Sequence, residues 1–161
     1  MGGLALTENA MSYTIVPFEP VLIDTNIILY SFDPLEGKKH EEAKRFLAWR
    51  ITQWYPIVFS TQNLNEAFAA TIANKKNLEE ARLILSHLQR LPNVRIISPT
   101  VSQIFAASKL SQNIRMSYWD ALLAETMFEN NVFTICTEDE AFRNDRRLNV
   151  INIFKKSRKQ K

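Results

Sequence analysis

The chain has one cysteine, three glycines and two histidines among its 161 residues, and each scarcity removes a class of chemistry. A single cysteine excludes an internal disulfide and any cysteine-rich zinc site. Cys136, inside Val132-Phe133-Thr134-Ile135-Cys136, reads as a packed core thiol. All three glycines precede Lys38, so no P-loop or dinucleotide fingerprint can form, which argues against nucleotide-cofactor enzymes. His40 and His87 fall on separate expected helices without companion ligands. Zinc sites need three or four convergent ligands, so both read as surface or capping side chains. Long apolar runs are missing too, since 27–30 and 132–136 fall far short of the roughly 20 residues that span a bilayer. Residues 1–10 lack the positive start and apolar core of a secretory signal, so no membrane association and a cytoplasmic location are expected.

What is present suits one globular domain with a single sizeable core: 46% hydrophobic and 23% charged residues in a chain of this length. The net charge of +3 is modest but uneven. From Arg143 onward the chain carries Arg143, Arg146, Arg147, Lys155, Lys156, Arg158, Lys159 and Lys161 against the single acid Asp145. Such a stretch can follow a phosphate backbone, while a terminal Lys/Arg run is as often merely solvated.

Residues 1–20 show neither helical nor strand period and read as a leader into the first strand. Val21-Leu22-Ile23 is a short apolar run that stops at Asp24-Thr25-Asn26, the pattern of a doubly buried strand turning into a helix. A short helix is expected over 27–32, ended by Pro34 and Gly37, and another over 40–52. Strands are expected at 56–60, 94–98, 132–136 and, on an edge, 150–154, and helices over 62–75, 77–91 and 100–112. Ser117 is a natural N-cap for a helix carrying Asp120 in its first turn. A helical turn follows at 140–144. Strands alternating with helices make an α/β fold with a mostly parallel sheet.

Four acids then stand out. Asp24 and Asp139 end strands, while Glu66 and Asp120 lie in early turns of helices that begin at the same sheet edge. Each has an ordinary structural reading. Asp24 suits a helix cap, Glu66 a solvated helix face, and Asp120 an N-terminal helix position where its charge meets exposed amides. Together they pose a problem, because two bare carboxylates about 4 Å apart repel by roughly 4 kcal/mol at the effective dielectric of proteins. A divalent cation removes it. Oxygen ligands without Cys or His suit Mg²⁺ or Mn²⁺, which can activate water and stabilise the leaving oxygen of a displacement at phosphorus.

Asp24-Thr25-Asn26 after a strand, Asn65-Glu66 in a helix after Ser60-Thr61, Tyr118-Trp119-Asp120-Ala121, and Thr137-Glu138-Asp139 together resemble the PIN domain, and most of all the VapC-type toxins of prokaryotic toxin-antitoxin systems. The resemblance covers roughly residues 21–154, between the 1–20 leader and a basic 155–161 tail. It implies a three-layer α/β/α sandwich with about five strands, and a Mg²⁺- or Mn²⁺-dependent endoribonuclease acting as a toxin. The family's acidic quartet falls on Asp24, Glu66, Asp120 and Asp139, which would hold the metal and do the catalysis. Thr25, Asn26 and Thr137 are supporting residues. A homodimer and a small antitoxin that blocks the acidic pocket are further implications.

Arg143, Arg146 and Arg147, just past Asp139, are candidates for contact with substrate phosphates. Tyr118 and Trp119 could stack on a base, although core packing is the better reading of Trp119. Two competitors remain. One is a non-catalytic module of the same fold that binds RNA or a protein partner. The other is an α/β phosphatase with Asp24 as nucleophile, which would want a second acid two residues on, where Asn26 stands instead.

Overall fold

The computed structural model describes residues 18–74 and 78–155. Most of the expected leader and tail, and the helix ends expected at 75 and 77, lie outside them. Five strands form one sheet: β1 (Val21–Ile23), β2 (Ile57–Ser60), β3 (Val94–Ile97), β4 (Thr134–Cys136) and β5 (Asn149–Ile151). Their order is β3-β2-β1-β4-β5 and every pairing is parallel, with Val21 beside both Ile57 and Thr134. The expected edge strand is indeed at the edge.

Alternation along each strand divides the core in two. Leu22, Val58 and Ile135 face one side, where they pack with Ala107 of α5 (Val101–Asn113) and Leu123, Ala124 and Met127 of α6 (Tyr118–Glu129). Val21, Ile23, Ile57, Phe59 and Cys136 face the other, against Ile27 and Ile28 of α1 (Thr25–Phe32) and Ala43, Phe46 and Leu47 of α2 (Lys38–Thr52). Burying β1, β2 and β4 on both faces demands the continuous apolar runs seen in the sequence. The helix α3 (Thr61–Ala73) follows β2, and α4 (Leu78–Leu88) precedes β3. The result is the three-layer α/β/α sandwich. Cys136 is buried as expected.

His40 takes the capping role rather than the surface one. It is buried, because its Nδ1 donates to the Tyr30 carbonyl at 2.9 Å where α1 ends. His87 stays at the surface and bonds the Leu83 carbonyl within its own helix.

The strand order reverses direction between β1 and β4. To one side of this line the chain builds β2 and β3, and to the other β5. Loops leaving the C-terminal ends of β1 and β4 therefore diverge and open a crevice, the place where open α/β sheets bind ligands.

Candidate active site

Two of the four acids border that crevice. Asp24 follows β1, and its N–H donates to the Cys136 carbonyl at the end of β4 (3.1 Å). Its side chain caps α1 by accepting from the Thr25 N–H at 2.8 Å, so the helix-cap reading is true of the same residue. Beyond β4, Thr137 is fully buried and donates its hydroxyl to Asp24 Oδ2 at 2.7 Å, while accepting from the Asp139 N–H at 2.9 Å. One threonine thus fixes both strand-end acids. Asp139 in turn caps the short 3-10 helix Glu140–Asn144 through the Ala141 N–H at 2.8 Å.

The helical acids are held in the same way. Thr25 Oγ1 donates to Glu66 Oε2 at 2.6 Å, which joins the start of α1 to α3. Ser117, the N-cap of α6, accepts from the Asp120 N–H at 3.1 Å and donates to Asp120 Oδ2 at 2.6 Å. Hydroxyl donors therefore orient three of the carboxylates. A carboxylate has about four lone-pair directions, so a hydroxyl on one oxygen leaves room for a cation.

Electrostatics reports how near the acids stand. Burial raises the Asp24 carboxyl to about 6 against the help of Thr137 and Thr25, and the charges of Glu66 and Asp120 push the same way. Asp120 is also raised, chiefly by burial and then by Asp139 and Glu66. All four acids thus belong to one electrostatic cluster. Among the described residues, however, no three His, Cys, Asp or Glu side chains are set closely enough to hold an ion between them. The donor set fits a hard divalent cation by its chemistry, oxygen only and mutually repelling, without forming a finished cage.

The other expected residues divide. Thr25 and Thr137 join the acids directly, whereas Asn26 is exposed and lines a pocket of about 200 Å³ between α1 and α3 with Leu29, Ala70 and Asn74. Arg147 is committed elsewhere: it forks onto Asp145 at 2.7 Å, reaches Glu125 at 2.8 Å, and lies over the Phe128 ring at 3.9 Å. Arg143 pairs with Glu140. Arg146 makes no ion pair among the described residues and lines a groove of about 570 Å³ with Lys109, Leu110 and Asn113 of α5. Trp119 is not in the core, being 63% exposed.

Sequence reasoning missed two residues. Asn63 is fully buried, closes a capping box with Ser60 and donates to Thr25 Oγ1 at 3.2 Å, so it orients the hydroxyl that holds Glu66. The signal was there in the three-residue spacing of Ser60 and Asn63. Gln62 donates one amide group both to Glu66 Oε1 (3.1 Å) and to the Trp119 carbonyl (3.2 Å), tying α3 to α6. Beside the site, Glu138 accepts from Lys39 at 2.8 Å and Tyr30 at 2.6 Å. These bonds overcome the effect of burial and hold its carboxyl below the ordinary range.

An all-parallel sheet with acids about its switch point defines an α/β protein whose crevice, the usual ligand position of such sheets, opens between β1 and β4. The sequence profile of the PIN domain matches residues 21–147. The chain belongs to the PIN domain family. Among solved structures it is similar to VapBC2 from Rickettsia felis bound to a DNA fragment from their promoter, with 20% identity, a TM-score of 0.60, and 81% of this chain and 96% of that chain covered. It is also similar to the sarcin-ricin loop cleaving toxin VapC20 of Mycobacterium tuberculosis (17%, 0.61, 76% and 92%). A third likeness is to a toxin-antitoxin complex from Klebsiella pneumoniae (21%, 0.60, 83% and 97%). Comparison with curated protein sequences returns no match.

Proposed function

We propose that the chain is an endoribonuclease that hydrolyses RNA phosphodiester bonds with a divalent cation, Mg²⁺ or Mn²⁺, and serves as the toxin of a toxin-antitoxin pair. The observation that carries this reading is the placing of four carboxylates from four separate parts of the chain about one crevice, where burial and then neighbouring acids raise Asp24 and Asp120. A bound cation would supply charge neutralisation, a more acidic water and stabilisation of the leaving oxygen. Asp24, Asp120 and Asp139 would hold it directly or through water, and Glu66 would hold a second ion or orient the attacking water. Thr137, Thr25 and Ser117 keep three of these carboxylates turned by donating to them. Water adds to phosphorus, the ribose oxygen leaves, and no covalent enzyme intermediate forms.

Substrate phosphates fall best to Arg146 and Lys109, whose charges meet no carboxylate among the described residues; Arg143 and Arg147 are already paired. A small antitoxin partner is supported by the toxin-antitoxin complexes among the similar structures, and a second copy of the chain completes the expected assembly. The alternative, a non-catalytic module binding RNA or protein, draws on the wide setting of the acids.

One assay separates the two readings. Purified protein is incubated with structured RNA and Mg²⁺ or Mn²⁺, with and without chelator, beside Asp24→Asn and Asp120→Asn. Cleavage is expected only in the wild type with metal, each substitution lowering the rate at least about 100-fold, as loss of a key electrostatic group does. Cleavage surviving both substitutions would overturn the mechanism. RNA binding with no metal-dependent cleavage would favour the module.

A further inference from the structure

We propose that the indole of Trp119 is a stacking platform for an unpaired nucleobase of the RNA strand held at the acids, an inference that rests on the ribonuclease reading. Isolated surface apolar residues are ordinary, but Trp119 differs in anchorage and position. It sits in the first turn of α6, next in the chain to Asp120, and is 63% exposed. Its backbone carbonyl accepts from Gln62 Nε2, the same amide nitrogen that binds Glu66 Oε1. Its ring meets Tyr118 edge-on, with centroids 5.3 Å apart and planes at 71°. One hydrogen-bonded bridge thus sets the Trp119 backbone in register with both helical acids, and the indole leans on the Tyr118 ring beside them.

Charge selects the occupant. Glu66 and Asp139 are exposed, and Asp120 is half-buried, with no cation paired to any of them among the described residues. A protein surface seated on the indole would have to bring its own cations to these carboxylates, as a blocking antitoxin would. A nucleic-acid strand meets both halves of the site at once, its base on the indole and its phosphate, through the cation, at the acids. The base must be unpaired, because a base within a duplex has its faces covered by its neighbours.

Binding is measured by anisotropy of a labelled 12-nucleotide RNA on otherwise wild-type protein with Ca²⁺ in place of Mg²⁺, an oxygen-seeking cation with longer, looser coordination that slows cutting. Trp119→Ala is expected to weaken binding of the single strand about 5- to 100-fold, the range of base–aromatic stacking, while Trp119→Phe stays within about 3-fold. The same RNA annealed to its complement, or an abasic backbone, should bind weakly and be indifferent to Trp119→Ala. Melting temperatures should match, since the side chain is exposed. If wild-type protein cleaves RNA and Trp119→Ala neither weakens binding nor raises KM, the platform is wrong and the ribonuclease reading stands. If the wild type neither binds nor cleaves RNA, both fall. If Trp119→Ala instead turns a dimer into a monomer on size exclusion, the indole belongs to a second copy and the platform is overturned.

Discussion

Asp24 is a helix cap and a site acid in one side chain, which explains how each reading taken alone looked sufficient. Its carboxyl, raised to about 6 in the fold from 3.8, binds its proton more tightly in the folded state. Without metal, stability from this group is highest below about pH 4. It falls as pH rises through the window between 3.8 and about 6, leaving a penalty of roughly 3 kcal/mol above it. Asp24→Asn removes the charge and keeps an acceptor for the Thr25 N–H. In chelator at pH 8 this variant is expected to melt above the wild type, the gap closing toward pH 4; a lower melting point at pH 8 would refute the cost of burying this charge. The acids themselves were legible in the sequence, each by an apolar run or cap before it. Their partners were less so. The bonds from Thr25 to Glu66 and from Thr137 to Asp24 span 41 and 113 residues, and no local pattern encodes such a pairing. Trp119 was misread because aromatic character suggests burial, whereas the buried face of α6 is made by Ala121, Leu122, Leu123 and Ala124.

Elements were recognised throughout, and their ends moved for identifiable reasons. Strand β4 begins at Thr134, not Val132, because the Val132 N–H is still bonded to the Met127 carbonyl of the preceding helix. Strand β5 stops at Ile151, since the Asn152 side chain accepts from the Phe154 N–H and turns the chain out of the ladder. Caps set the helices: Asp24 starts α1 two residues before the expected position, and Ser60 rather than Thr61 starts α3. Among the described residues, two turns adopt left-handed backbone without glycine, at Trp54 (φ 58) and Asn131 (φ 55). Asparagine tolerates this conformation and tryptophan does not. Trp54 is largely exposed at the exit of α2, so Trp54→Asn should raise stability by about 1 kcal/mol in urea unfolding, the usual cost of that conformation for a bulky residue.

For the molecule as a whole, alternating strands and helices were enough to give a parallel sheet, yet the order β3-β2-β1-β4-β5 could not be read from them. Strand order depends on which faces the helices cover, and that is settled by packing in three dimensions. Once known, it explains the site. Reversal at β1 and β4 brings Asp24 and Thr137 together, and the helices on either side deliver Glu66 and Asp120. Burial and repulsion both disfavour the charged acids in the free fold, and hydroxyl donors only partly offset them, so binding of a cation should be felt as stability. The most direct measurement is the rise in melting temperature on adding Mn²⁺ at pH 8, for the wild type and for Asp24→Asn, Glu66→Gln, Asp120→Asn and Asp139→Asn. A metal at 100 times its dissociation constant stabilises by about 2.7 kcal/mol, a shift of several degrees. The rise is expected in the wild type and lost or sharply reduced in each variant. No rise in the wild type, or a full rise in all four variants, would contradict a shared metal site.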